Sequence, residues 1–241
     1  LYLEVRTAEF FGYVGPNGSG KTTTLKLLIG LLKPDRGHAQ VLGEPLASRS
    51  WRFRTGYLPE HPYLYDYLTP AEYLEYVGRL FGLAAPLRRE RTRSLLALVG
   101  LERSADTPLR RFSKGMVQRA GLAQALVNDP ELVILDEPFS GLDPVNSQIM
   151  KDVVVDIAKA GRTVLFSTHI MEQAEKMCDR IVIIARGEKV VDGTVAQVKT
   201  DFGGRFVALG FTHDKDRAQR ILADRHMVEN VDDYGATAEL K

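Results

Sequence analysis

Eight residues near the start of the chain, Gly15, Pro16, Asn17, Gly18, Ser19, Gly20, Lys21 and Thr22, bring together the groups that a polyphosphate needs. Glycines let successive backbone N–H groups turn inward with no Cβ in the way, and a helix beginning here adds the partial positive charge of its N-terminus. Lys21 supplies a full charge for terminal phosphates. Thr22 offers a hydroxyl to Mg²⁺, a cation that keeps most of its coordination as water and phosphate oxygen. The loop follows an apolar run, Phe10 to Val14, and precedes a helix-like segment, Thr23 to Leu32, which is the context such a loop requires. The bland alternative is a glycine-rich turn without function.

A second set of reactive side chains follows the run Leu132, Val133, Ile134, Leu135, which reads as a buried strand closed by Pro138. It delivers two adjacent acids. Asp136 is placed to hold Mg²⁺ directly or through water, and Glu137 to orient and polarise a water that attacks a terminal phosphate. An isolated Asp-Glu pair is more often an ordinary pair of loop acids; its position downstream of a phosphate-binding loop reverses that expectation. A third apolar run, Val164 to Thr168, ends at His169. Each chemically loaded residue therefore follows the carboxyl end of a strand, the edge of an open α/β sheet where ligands bind, so the three segments are expected to converge.

The elements that must position these residues alternate between short apolar runs and helical patterns, as in a mostly parallel sheet covered by helices. A segment of different texture, about 59–127, reads as a helical insert that divides the core into 1–58 and 128–200. Within it, Thr69, Pro70 and Glu72 form a capping box with proline at the first helical position. Tyr73, Leu74, Val77, Leu80 and Phe81 follow at helical spacing. A further helix is expected from Pro86 to Val99, stopped by Gly100, with Arg88, Arg89, Arg91 and Arg93 on a solvated face. Beyond about Thr200 a strand-like Arg205 to Phe211, a helix from Asp214 to Asp224 and another short strand are expected. They form a small α+β accessory domain, 201–241, whose completeness at Lys241 is left open.

Composition bounds what these parts can serve. The 241 residues, 44% hydrophobic, suffice for one sizeable domain with an appendage, and 32 basic against 31 acidic side chains give no field that would select a nucleic acid. One cysteine, Cys178, permits neither an internal disulfide nor a thiolate zinc cluster, pointing to a reducing, cytoplasmic setting and an inert thiol. The apolar runs fall far short of the ~18 residues that cross a bilayer. The chain opens at Leu1 with no basic-then-apolar leader, so a missing N-terminus is expected in place of a signal peptide.

Read together, these motifs resemble the ABC (ATP-binding cassette) ATPases from Leu1 to about Lys199, and five appear in the family's order. GPNGSGKTT at Gly15 to Thr23 resembles Walker A, and FSKGM at Phe112 to Met116 the LSGGQ signature. LVILDEP at Leu132 to Pro138 resembles Walker B, SGLD at Ser140 to Asp143 the D-loop, and His169 the switch histidine. The resemblance implies a P-loop NTPase fold with a RecA-like core, ATP and Mg²⁺ as ligands, and a head-to-tail pair of subunits. In that pair Ser113 and Gly115 would contact the γ-phosphate held by the other copy, and Asp143 would link the two sites. The residues support this on their own: a serine and a glycine at a helix start make an anion-binding terminus that has no lysine of its own. Catalysis would fall to Lys21, Glu137 and His169, and Thr22 and Asp136 would hold the metal.

Three features depart from the family pattern. Glu60, after Tyr57, Leu58 and Pro59, stands where a glutamine is usual, keeping the capacity to bind a Mg²⁺-linked water but adding charge. Met116 replaces the signature's final glutamine. The aromatic residue that stacks on adenine would lie upstream of Leu1.

Six of the nine tyrosines fall between Tyr57 and Tyr76. Tyrosine suits interfaces, where its ring packs and its hydroxyl stays satisfied, so this stretch is expected to dock the coupling helix of a separate membrane permease, with core packing as the alternative. FSKGM and the short tail resemble bacterial exporter ATPases, which places the chain on the cytoplasmic face of the membrane, expected as a homodimer and with no nucleic acid. The competing reading is a soluble, non-transport ABC ATPase acting on nucleic acid or ribosomes. A kinase with the same phosphate loop would leave FSKGM, SGLD and His169 unexplained.

Overall fold

A computed structural model describes residues 1–202, 207–210, 231–233 and 237–240. The chain divides into two units, Leu1–Val195 and Ala196–Lys241. In the first, β1 (Phe10–Val14) leads into α1 (Lys21–Leu28). A two-residue hairpin of β2 (Gln40–Val41) and β3 (Glu44–Pro45) and then β4 (Thr55–Leu58) follow. Next come α2 (Pro70–Leu80), α3 (Ala85–Leu98) and α4 (Lys114–Leu126), with no strand between 59 and 127. The chain then returns through β5 (Leu132–Asp136), α5 (Pro144–Lys159), β6 (Thr163–Thr168), α6 (Met171–Met177), β7 (Arg180–Ala185) and β8 (Glu188–Thr194).

These strands form one six-stranded sheet in the order β4-β5-β6-β1-β7-β8, parallel except for the β7–β8 pair. Strands covered on both faces must be apolar throughout, which is why β1, β5 and β6 read as unbroken runs. On one face Phe11, Tyr13, Leu25, Ile134, Leu165, Val182 and Ile184 make a single buried cluster beneath α1. Phe166 lies edge-on to Phe10 and against Phe139. Gly12 in β1 is a close-approach position: a Cβ there would lie 2.9 Å from Cys178 Sγ and 3.4 Å from Ala174 Cβ of α6. Cys178 is buried, and burial pushes its thiol pKa well up, so it packs as an apolar group.

The helical segment returns to the sheet through α4. A Cβ on Gly56 of β4 would fall 2.0 Å from the carbonyl of Ala125, and Asn128 Nδ2 donates to Phe53 O at 2.9 Å. The capping box forms as the sequence specifies: Glu72 N donates to Thr69 Oγ1 at 3.2 Å and Thr69 N to Glu72 Oε2 at 2.9 Å.

Two sequence expectations need correction. The helix after the phosphate loop starts two residues earlier than Thr23 and ends at Leu28, not Leu32. Gly30 takes the left-handed conformation (φ +69°), and the N–H groups of Leu31 and Leu32 both turn back to Lys26 O. The arginines of α3 are not all on a solvated face: Arg88 donates to Glu75 and Leu83 O, and Arg91 to Val127 O at 2.8 Å and Asp129.

In the second unit, α7 (Val195–Phe202) begins at the boundary, and β9 (Val207–Gly210), β10 (Val231–Asp233) and β11 (Thr237–Leu240) form an antiparallel sheet in the order β10-β11-β9. The helix expected from Asp214 to Asp224 lies outside the described residues.

Candidate active site

β5, β6 and β1 lie side by side, so the three reactive strand ends converge although sequence separates them widely. Val14 pairs with Thr168 and Asp136 with Ser167, and Gly15 N donates to Thr168 O at 3.1 Å. The phosphate loop is thus tied to the strand that carries His169. Its far side is fixed by the β7–β8 turn, where Gly187 N donates to Ser19 O at 3.1 Å.

The loop leaves its own helix uncapped. Gly20, the residue before α1, adopts φ +103° and gives no side-chain cap, and the first turn has no acid. The first amides of α1 therefore lack side-chain acceptors, the state in which a helix start takes up an anion. Gly18 (φ +78°) and Gly20 face open space, where a Cβ would meet nothing within 4 Å. Gly15 is held differently: a Cβ there would strike Ile184 O at 2.4 Å. Ser19 is buried with its Oγ unpartnered.

A cavity of about 370 Å³ opens here, in the size range of small-molecule sites. The loop contributes Asn17, Gly18, Gly20, Lys21, Thr22 and Thr23 to its wall, and Glu60, Glu137, Ser140 and His169 close the opposite side. Lys21 is buried and donates to Gly15 O at 2.7 Å and to Pro16 O at 3.2 Å. Its ammonium also lies 3.3 Å from Glu137 Oε1, an ion pair without the alignment of a hydrogen bond, which leaves that oxygen without a hydrogen-bond donor. Glu137 Oε2 is 3.0 Å from His169 Nδ1, a contact in which Nδ1–H donates to the carboxylate. A continuous series Lys21–Glu137–His169 thus spans the cavity floor.

Glu137 itself is strained. It follows β5 at φ +46°, in the left-handed region, which costs a non-glycine residue about 1 to 3 kcal/mol. Asp136 does not line the cavity: it is 1% exposed and accepts from Ser167 Oγ at 2.6 Å. Tyr57 of β4 feels both its own burial and the charge of Asp136, which push its phenol up to about 12.

Ser113, Gly115 and Asp143 also lie outside the cavity wall. Ser113 caps α4 by accepting from Met116 N at 3.3 Å, and Asp143 caps α5 by accepting from Asn146 N at 3.0 Å. The two helix starts touch: a Cβ on Gly115 would fall 2.4 Å from Asn146 Cγ, and the Lys114 ammonium packs over Gly141.

Two residues to which the sequence assigns no chemical role of their own belong to the site. Ser140, three positions after Glu137, is brought to the cavity because Ser140 N donates to Glu137 O in a tight turn; the spacing was available as a signal. Ser167 is buried in β6, and only the register that sets it against Asp136 gives it a partner.

The donors suit a nucleoside triphosphate with Mg²⁺: free amides and an ammonium for phosphate oxygens, and oxygen donors from Thr22 and Asp136 for a hard cation. Among the described residues no three acidic, His or Cys side chains gather into a cluster that could hold a metal ion.

Sheet order, loop and insert together define the P-loop NTPase fold. A family model described as ABC transporter matches residues 1–140, and the chain belongs to that family. An ABC transporter ATP-binding protein of Nostoc sp., described as uncharacterized, is 49% identical over 199 residues, 81% of this chain and 59% of that one. Nod factor export ATP-binding protein I of Ralstonia nicotianae is 37% identical over 98% of this chain and 74% of its own length. A solved dimeric, post-hydrolysis state of an ATP-binding cassette bound to ADP and Pi has a TM-score of 0.73 and 26% identity, covering 80% of this chain and 88% of that one. The chain spans about three-fifths of the length of the Nostoc and Synechocystis relatives it matches.

Proposed function

We propose that this chain binds and hydrolyses ATP in a head-to-tail pair and so powers transport, in the export direction, through a separate membrane permease. The observation that carries the reading is the Lys21–Glu137–His169 series on the floor of a cavity lined by amides and glycines. Lys21 and Glu137 balance one another's charge across 3.3 Å, and His169 holds the other carboxylate oxygen. Triphosphate entry gives Lys21 new partners and releases Glu137 to accept a proton from a water held in line with the γ-phosphorus. As the water oxygen bonds to that phosphorus, the bond to the β–γ bridging oxygen breaks and ADP leaves with the electron pair. His169 keeps the Glu137 carboxylate turned toward that water. Thr22 and Asp136 would hold Mg²⁺, which neutralises charge developing on the phosphate oxygens.

Completion by a second copy is supported by the position of the Ser113 cap. It is exposed and outside its own chain's cavity, with Gly115 against the Asp143-capped helix, so the two helix starts form one surface that can be offered to another molecule. The solved relative described as dimeric and bound to ADP and Pi supports pairing of two copies.

A permease contact is supported by the segment after Glu60. Glu60 lines the cavity, and within the next sixteen residues Tyr63, at 92% exposure, Tyr65, Tyr67 and Tyr76 reach solvent, with Tyr65 and Tyr76 ring centres 5.6 Å apart. Among the described residues no helix is long and apolar enough to cross a membrane, so attachment to its cytoplasmic face would come through that permease. Export rests on the Nod factor export relative.

The direct test is Glu137→Gln. Hydrolysis is expected to fall by about 10² to 10⁴ while ATP binding persists, since the amide keeps the shape but not the proton acceptor. Turnover at the unaltered rate would exclude Glu137 as the base.

A further inference from the structure

We infer that Ser167 is a positioning residue that sets the orientation of both acids of the Asp136–Glu137 pair and so couples metal retention to the aim of the base. The inference rests on the ATPase reading above and adds a residue to it. Ser167 is completely buried in β6, in register with Asp136. Its hydroxyl has one proton, and that proton goes to Asp136 Oδ1 at 2.6 Å. Ser167 Oγ in turn accepts from the backbone N–H of Glu137 at 3.0 Å, and the Ser167 carbonyl accepts from that N–H as well, at 3.2 Å. One side chain therefore holds the carboxylate of one acid and the main chain of the next.

Both restraints matter because of where they act. A charge-assisted bond of this length fixes Asp136 in one rotamer and occupies Oδ1, so the remaining oxygen is the one left for a cation. Glu137 sits at φ +46°, a conformation that persists only when its surroundings hold it there, and the forked hydrogen bond to Ser167 is what the structure provides. That peptide geometry aims the Glu137 carboxylate at Lys21 and His169, 3.3 and 3.0 Å away. An apolar residue at 167 would leave Asp136 Oδ1 buried without its donor and the Glu137 N–H with the residue-167 carbonyl as its remaining acceptor.

The test uses purified chain carrying Ser167→Ala, with Ser167→Thr as the variant that retains a hydroxyl. Mn²⁺ is titrated by electron paramagnetic resonance in the presence of a β,γ-imido ATP analogue, and thermal unfolding without nucleotide establishes that each variant is folded. Ser167→Ala is expected to weaken Mn²⁺ binding and lower kcat by roughly 10- to 100-fold each, the size typical of lost partners behind a metal ligand. The KM for ATP is expected to stay within about threefold, because the loop amides and Lys21 are untouched. Ser167→Thr should recover most of both losses. The inference is overturned if a folded Ser167→Ala protein binds Mn²⁺ and turns over as the parent does, or if a folded Ser167→Thr is as impaired as alanine. Failure of the parent chain to hydrolyse ATP at all would instead refute the ATPase reading, so the two results are distinguishable.

Discussion

Lys21 makes every one of its contacts with groups that a triphosphate would replace: the carbonyls of Gly15 and Pro16 and the carboxylate of Glu137. Under the proposed function, a buried ammonium with that choice of partners would be held in place by them and would exchange one set of acceptors for another on binding a triphosphate. Charge-assisted hydrogen bonds contribute about 1.5 to 3 kcal/mol each, and the cradle offers several to the terminal phosphates. Lys21→Ala should therefore abolish measurable ATP binding by equilibrium dialysis or calorimetry, and nucleotide affinity equal to that of the parent chain would place the phosphate elsewhere. Gly115 shows the opposite kind of constraint. Alanine normally favours a helix over glycine, yet here a methyl group would enter the space of Asn146, so the position is ruled by the neighbouring helix and not by propensity.

Elements built from local signals were the most legible. The Thr69 capping box, proline at the first position and the spacing of Tyr73, Leu74 and Val77 specify α2 within one residue of its observed end, because every group involved lies within three turns. Thr69→Ala is expected to lower unfolding free energy by about 1 kcal/mol, read from the denaturation midpoint, while ATP affinity stays unchanged. Where the deciding partner is distant, sequence reading gave less. Arg91 looks like one member of an exposed basic series until Val127 O and Asp129 arrive from the end of α4. The helix after the phosphate loop could not be trimmed to Leu28 from pattern alone, since Leu31 and Leu32 continue the apolar character that Gly30 interrupts. Asp136, Glu137 and His169 were identifiable as a set from their strand ends, but their mutual contacts depend on the register of β5 against β6. Ser167 is legible only through that register.

At the scale of the whole molecule, the cavity is lined without Ser113, whose cap on α4 is exposed. If two copies complete each other, specific ATPase activity should fall on dilution below the dissociation constant of the pair. Glu137→Gln, bound to ATP and unable to complete the cycle, should accumulate as a dimer by light scattering. Activity per chain independent of concentration, with Glu137→Gln remaining a monomer in ATP, would show that one copy suffices.

The placement of β1 between β6 and β7 has a consequence for the order in which the protein becomes competent. Its phosphate loop precedes β6 and the β7–β8 turn along the chain, yet Gly15 is anchored by Thr168 and Ser19 by Gly187, so the anchors on both sides of the loop come from segments that follow it. A nascent chain therefore carries its most recognisable motif long before it can use it. Nucleotide, by binding only the finished sheet, acts as a mass-action reward for completing the last steps of folding.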